Sequence, residues 1–479
     1  MGGVSSLAYT PFNYIILLYF GYIVLFYSFY KSDNLKKYFY YGFSFGLAHF
    51  SVGTYWLFSI INGSDEKYSL TLIIIGIILV LSLYFAFLGL FVGLLKKTRV
   101  SLFTWLVIVV PVVTTLMEWL RSWFLTGFTW LSPADTLVNF GFASLLPITG
   151  TLGVSFLFYT IVAFFLYVLL QKRIKTFIYF VLSVLSLFFS LWFLAQQSYT
   201  TPLPKKKIYT QIIQSHFTKS EKTKRYKIVQ RVKHFQELAL QEPRAELSVW
   251  AESTVSSEYK EVRYSLSRGF QALRTHNVEV LYGAYLSSQN IIMQNSTEKM
   301  AYSKHHLMPF GEYTPAWLKF LQTYLPHFEN NDLSVEKSPR LIRVKELNIT
   351  ASICYELLFP NELRADGKSA NVLLHISDLG WFDKSWAQSY LLNLAQMRAM
   401  EHQKPMIYVV NSGYSAFIAF DGKIQNISRQ ESGTSTLYHN VVAYEGSTPF
   451  VKYGNLPILI LLWSLLLFSL VLKRGKRMF

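Results

Sequence analysis

The chain has 479 residues, 52% hydrophobic, 17% aromatic and only 15% charged, with a net charge of +17. An ordinary soluble domain is nearer a quarter charged, and a disordered chain is poor in hydrophobic residues, so both classes are disfavoured. The single cysteine, Cys354, leaves no room for an intrachain disulfide or a cysteine-rich metal framework.

Taken in chain order, apolar runs at about 12–30, 38–61, 70–95, 101–125, 146–170 and 176–195 predict six membrane spans, and a seventh follows at about 456–472. A hydrocarbon core of ~30 Å takes ~20 residues of helix. A secretory signal would account for one such run, not seven. The basic residues alternate with the spans. Lys31, Lys36 and Lys37, then Lys96, Lys97 and Arg99, then Lys172, Arg173 and Lys175, and finally Lys473, Arg474, Lys476 and Arg477 all fall on one side. The opposite short loops hold only Lys67, beside Asp65 and Glu66. The positive-inside rule makes the basic side cytoplasmic. Over half of the net charge is then a topology signal, and no nucleic-acid partner is needed to explain it. This topology starts the chain outside after a short uncharged tail, an unusual arrangement.

Residues 197–455 read as one outer domain of alternating strands and helices. Strands are predicted at 208–213, 247–250, 278–284, 349–353, 372–376 and 406–410, and helices at 220–241, 258–275 and 385–402. Such alternation implies a layered α/β domain, whose functional residues collect just beyond strand C-termini. Four polar residues occupy those places: Glu252, Cys354, Asp378 and Asn411.

A lone cysteine is by default a small buried hydrophobe. Cys354, however, follows a strand and precedes Tyr355-Glu356, and a thiolate nucleophile needs a base or a positive charge nearby. Glu252, in Trp250-Ala251-Glu252-Ser253, is the candidate base; taken alone it would read as a helix cap or a surface charge. Lys304 opens a dense stretch running through His305, His306, Pro309, Phe310, Gly311, Glu312 and Tyr313. Adjacent histidines diverge and no third ligand of suitable spacing accompanies them, so no metal is expected there. Glu118 and Arg121 lie near the end of a span. They read equally as a mutually neutralising i,i+3 pair or as a contact for a lipid headgroup. Arg398 and Glu401 read equally as a salt-bridged helix pair or as residues of the site. The aromatic loop of Trp381, Phe382 and Trp386 suits a membrane interface.

Glu252, Lys304 and Cys354, in that order on an α/β domain, resemble the Glu-Lys-Cys triad of the nitrilase superfamily. The stretches WAES, KHHLMPFGEYTP, SICYE and SDLGWF, with Glu118-Trp119-Leu120-Arg121 and Thr126 to Leu131 in the membrane half, resemble the apolipoprotein N-acyltransferase family. The resemblance implies an α-helical polytopic bundle over 1–196, a nitrilase-like α-β-β-α sandwich over 197–455 on the periplasmic side of a bacterial inner membrane, and a closing helix with a basic tail over 456–479. It implies transfer of an acyl chain from a phospholipid, through a Cys354 thioester, to the N-terminal amine of a diacylated apolipoprotein. Glu252 would be the base. Lys304 and the Tyr355 N–H would stabilise the oxyanion. Glu312 would orient Lys304 or the amine, Glu356 would hold the base side of the pocket, and Tyr355 would line the acyl chain. No cofactor is implied, and a monomer is expected. Two departures stand out. Leu7 to Pro11 resembles the segment between the family's first two helices, so the first span is expected to be absent. Gln214-Ser215-His216 replaces the usual Gln-Gly-Asn. The competing readings are a membrane-tethered amidase, in which water resolves the thioester, and an inactive lipid- or lipoprotein-binding protein.

Overall fold

The computed structural model describes residues 1–475 except 64–66, 99, 138–140, 218–220, 223, 317–318, 320–332, 336–340, 383–384 and 431. It forms two compact units. One comprises Met1–Phe58, Leu70–Gln197 and Tyr453–Phe479, and the other Ser59–Ser69 and Ser198–Lys452.

The first unit is helical. Its main elements are α1 (Ile15–Lys31), α2 (Leu35–Gly53), α3 (Lys67–Lys96), α4 (Val110–Arg121), α5 (Leu146–Gln171), α6 (Ile174–Ala195) and a closing Leu456–Gly475 helix. Among the described residues, four helical segments are long and apolar enough to cross a membrane: Lys67–Lys96, Thr104–Arg121, Phe142–Gln171 and Ile174–Ala195. The run expected as one span at 38–61 is a pair of helices, Leu35–Gly53 and Tyr55–Ile61, bent by 51°, which taken together are long and apolar enough to cross a membrane. Ile15–Lys31 and Leu456–Val471 are apolar but shorter. Helices α2 and α3 approach closely because glycines line their seam. A Cβ on Gly42 would lie 2.0 Å from the Phe85 carbonyl oxygen, and one on Gly89 2.2 Å from that of Tyr38. Without a hydrophobic drive between helices in lipid, such small-residue contacts supply the packing.

Glu118 and Arg121 do not neutralise each other, contrary to the helix-pair reading. Glu118 accepts hydrogen bonds from the hydroxyls of Ser132 (2.6 Å), Ser155 (2.9 Å) and Tyr159 (2.7 Å). Arg121 donates to the Trp130 carbonyl at 2.7 Å and lies 5.4 Å from the Phe50 ring. Hydroxyls from the following loop and from α5 outcompete the helix neighbour.

The second unit is a four-layer sandwich. Its strands are β1 (Thr200–Ser215), β2 (Leu247–Glu258), β3 (Glu279–Leu286), β4 (Gln289–Gln294), β5 (Lys299–Ser303), β6 (Leu341–Val344), β7 (Leu347–Ile353), β8 (Val372–Asp378), β9 (Met406–Asn411), β10 (Gly413–Ile418), β11 (Ile424–Gln430) and β12 (Thr434–Gly446). They form two six-stranded sheets, ordered β12-β1-β2-β3-β4-β5 and β11-β10-β9-β8-β7-β6. The central triplets β1-β2-β3 and β7-β8-β9 are parallel, and every other pairing is antiparallel.

Alternation of side chains along each strand decides the layers. Leu247, Val249 and Ala251 of β2 point inward against Ile349, Ala351 and Ile353 of β7 and Leu374 and Ile376 of β8. Trp250 points outward, against Phe235 of α7 (Arg225–Gln241) and Phe270 of α8 (Tyr259–Thr275). Burying each large apolar side chain contributes roughly 1.5–3 kcal/mol. The other outer layer holds α9 (Pro360–Gly367) and α10 (Ala387–His402). Helix α7 runs Arg225–Gln241; of the 220–241 expected, residues 220 and 223 lie outside the described residues. Arg398 and Glu401 are buried on α10 with their charges 2.8 Å apart.

Candidate active site

The parallel strands set the frame. Glu252 sits where the β2–β3 register breaks, between Trp250 and Val255. That bulge turns the carboxylate out of the ladder, a common device beside functional sites. The strand beside it must be bare at this level, because a Cβ on Gly283 would lie 2.5 Å from the Glu252 Cα. Lys304 directly follows β5. Cys354 directly follows β7 and holds φ of +52°, a sparsely populated conformation for a residue with a side chain.

The charges converge. Glu252 and Lys304 are 4% and 1% exposed. Lys304 Nζ lies 2.8 Å from each Glu312 oxygen and 3.9 Å from Glu252 Oε1. Glu312 also accepts the Met308 N–H at 2.7 Å. Glu252 is held at both oxygens, by Asn290 Nδ2 at 2.6 Å on Oε1 and by the Asp378 N–H at 2.6 Å on Oε2. Asn290 Nδ2 also reaches Glu312 Oε1 at 3.2 Å.

Glu356 was expected to hold the base side of the pocket; the partners described for it lie elsewhere in the site. It joins the two segments that carry Lys304 and Cys354. Its carboxylate accepts from Tyr302 Oη (2.6 and 2.7 Å), the N–H groups of His305 (2.8 Å) and His306 (3.2 Å), and the Ile353 N–H (2.7 Å). Tyr355 packs edge-on to His306 and Phe359, with ring centres 5.5 and 5.1 Å apart.

Burial pushes the Glu252 pKa up to about 7; Lys304 pulls it down, while Glu312 and Asp378 push it further up. Burial opposes a charge on Lys304, but Glu312, Cys354 and Glu252 together outweigh it and raise its pKa, so the ammonium stays charged. For Cys354, desolvation comes first and the Glu252 charge second, and both hold the thiol well above its ordinary value despite Lys304. The resting thiol is therefore protonated, and a carboxylate whose own pKa is raised to about 7 makes a stronger base than an ordinary glutamate. The arrangement can run nucleophilic thiol chemistry with a general base and a fixed cation for a developing oxyanion.

One group that holds Glu252 has no signal in the sequence: Asn290 lies on β4, a strand that composition does not mark. Asp378 stands at a strand end as expected, but its grip on Glu252 runs through its backbone N–H, which leaves no mark in a motif.

A family model described as apolipoprotein N-acyltransferase N-terminal domain matches residues 1–164, and one described as carbon-nitrogen hydrolase matches residues 212–448. An apolipoprotein N-acyltransferase of Photobacterium profundum is 26% identical, covering 100% of this chain and 95% of its own. One of Pasteurella multocida is 29% identical, covering 95% of this chain and 91% of its own. The solved carbon-nitrogen hydrolase of Helicobacter pylori G27 is 15% identical with a TM-score of 0.37, over 50% of this chain and 89% of its own. With both halves matched in the right order and relatives aligned end to end, the chain belongs to the apolipoprotein N-acyltransferase family, membrane enzymes built on a carbon-nitrogen hydrolase domain.

Proposed function

We propose that Cys354, Glu252 and Lys304 carry out acyl transfer in two half-reactions. Glu252 takes the thiol proton as the sulfur attacks a phospholipid acyl ester, and the carbon–sulfur bond forms. Lys304, with the Tyr355 N–H, bears the negative charge of the tetrahedral oxygen. The ester carbon–oxygen bond then breaks, and Glu252 returns the proton to the departing lysophospholipid oxygen. In the second half, the neutral N-terminal amine of a diacylated lipoprotein attacks the thioester. Glu252 takes the amine proton and delivers it to the leaving sulfur, which closes the cycle.

The observation that supports this best is the buried Lys304 shared between Glu252 and Glu312 beside the turn of Cys354. A buried lysine with two carboxylates is expensive to assemble for stability alone. Glu312 then aligns Lys304, and Glu356 keeps the segments that carry Lys304 and Cys354 together. Residues 197–455 act as the catalytic domain on the periplasmic face of a bacterial inner membrane. Residues 1–196 and 456–479 form the membrane part, and the chain works as a monomer. The one-sided placement of the basic turns supports this orientation.

The test is incubation of the full chain in mixed micelles with acyl-labelled phospholipid and a diacylated lipopeptide. N-acylated lipopeptide formed by the wild type and not by Cys354→Ala supports transfer. Free fatty acid as the sole labelled product would refute it in favour of hydrolysis.

A further inference from the structure

Behind Glu252 lies a group of charges that the two half-reactions do not use. Lys222 Nζ lies 2.5 Å from Asp378 Oδ2, with side chains 14% and 4% exposed. The other Asp378 oxygen accepts from Asn411 Nδ2 at 2.8 Å and from the Gly380 N–H at 3.2 Å. The N–H of the same aspartate donates to Glu252 Oε2. Lys222 is itself fixed. Its ammonium lies 5.4 Å from the Trp381 ring and 5.6 Å from that of Phe217, and its carbonyl accepts from Ser256 Oγ at 2.6 Å. Two elements far apart in sequence thus meet on the one residue whose backbone holds the general base.

We infer that Lys222 is a positioning residue for Glu252: it neutralises and anchors Asp378, keeps the Asp378 N–H on the Glu252 carboxylate, and sets the pH at which that carboxylate becomes a base. The inference rests on Glu252 being the base.

The surroundings give the direction. Glu252 is faced by Lys304 after β5, Glu312 in the following loop, Cys354 after β7, Tyr285 on β3 and Asp378 at the end of β8. Among these, Asp378 pushes the proton affinity of Glu252 upward. Around Lys222 stand Asp378, the neighbouring Glu221 and Arg231. The Arg231 guanidinium donates to the Thr254 carbonyl and also feels the charge of Asp378. With Lys222 in place, the aspartate charge reaches Glu252 half-cancelled. Without the lysine, the further cation that feels this aspartate among the described residues is Arg231, beyond ion-pair distance, so Glu252 needs a higher pH to ionise. Removing the aspartate charge instead leaves Lys222 unopposed, and Glu252 ionises at a lower pH. A lysine that served stability alone would change rates or folding without moving the pH at which activity appears.

The experiment measures single-turnover thioester formation on the full detergent-solubilised chain, with labelled phosphatidylethanolamine in mixed micelles from pH 5 to 9. Wild type is expected to lose activity on the acid side near pH 7. Lys222→Met should move that limb up by about one pH unit, the scale of one nearby charge at an effective dielectric near 20–40. Asp378→Asn should move it down, and Lys222→Arg should restore the wild-type position. If both Lys222→Met and Asp378→Asn leave the limb in place, whatever their rates, the inference is overturned. If Lys222→Met does not fold, the direction taken by Asp378→Asn decides, downward supporting and unmoved overturning. Glu252→Gln is run in parallel. A wild-type limb that Glu252→Gln fails to abolish overturns the base assignment and the inference with it, whereas an intact Glu252 limb that the Lys222 and Asp378 variants leave unmoved overturns the inference alone.

Discussion

Glu356 offers the sharpest test of how the site is held. Its carboxylate is 1% exposed, and the donors it serves include four among the described residues: the Tyr302 hydroxyl and the N–H groups of His305, His306 and Ile353. Hydrogen bonds to a charged group contribute ~1.5–3 kcal/mol each, and a buried donor left unpaired costs ~1–3 kcal/mol. Glu356→Ala strips all four, and water entering the vacated space recovers part of the loss. A destabilisation of about 3–6 kcal/mol follows, at the upper end for single substitutions. In thermal unfolding of the solubilised protein this lowers Tm by roughly 6–20 °C. Because Glu356 ties the segment after Lys304 to the strand before Cys354, thioester formation should fall about 100-fold or more, the usual consequence of misplacing reacting groups by ~1 Å. Glu356→Gln keeps the shape but turns an N–H₂ toward two donors, so it should lose less than the alanine variant and more than a surface change. A Glu356→Ala protein within ~1 kcal/mol of wild type that acylates at the wild-type rate would refute the reasoning.

Three further outcomes can be checked. The Glu252 carboxyl binds its proton more tightly in the folded chain, at about 7, than at its ordinary 4.5. Its contribution to stability is therefore complete below about pH 4.5 and is lost as pH rises to about 7, by roughly 3 kcal/mol. Unfolding of wild type and Glu252→Gln compared at pH 5 and pH 8 should show the difference moving in favour of the glutamine variant, and a flat or reversed trend contradicts the raised value. Gly283→Ala sets a Cβ 2.5 Å from the Glu252 Cα and 2.8 Å from the Ala251 oxygen, so backbone must move. A cost of about 1–3 kcal/mol with a tenfold or greater loss of thioester formation is expected, and an unimpaired rate would show the bulge to be tolerant. Glu118→Leu leaves the hydroxyls of Ser132, Ser155 and Tyr159 without their acceptor. A loss of about 1–2 kcal/mol, read as a lower melting temperature in detergent, is expected, and an unchanged Tm would argue that those bonds contribute nothing.

What the sequence revealed follows physical lines. Strands β2, β7, β8 and β9 are buried on both faces, so they stand out as short apolar runs, each ending abruptly in a polar residue. Glu252, Cys354, Asp378 and Asn411 were legible for that reason. Strands β11 and β12 are largely polar and partly exposed, and β4, β5 and β6 are short, so nothing in composition separates them from loops. Asn290 therefore went unseen. Lys222 reads as one more surface lysine, because its partner lies 156 positions away. The hydroxyl partners of Glu118 are not visible in the sequence, because helical spacing can be read from it and a loop folding back with its hydroxyls cannot. The partners of Glu356 are hidden for the same reason, since a motif gives adjacency to Cys354 but not the direction in which the side chain reaches.

The most direct measurement is the mass of the intact protein, and of its Cys354 peptide, after brief incubation with phospholipid in the absence of acceptor. The expected result is one added acyl group on Cys354. It should be released by neutral hydroxylamine and by a diacylated lipopeptide, and be absent from Cys354→Ala. An unmodified Cys354 under conditions where the wild type goes on to acylate lipopeptide, or an acyl group carried on another residue, would contradict it.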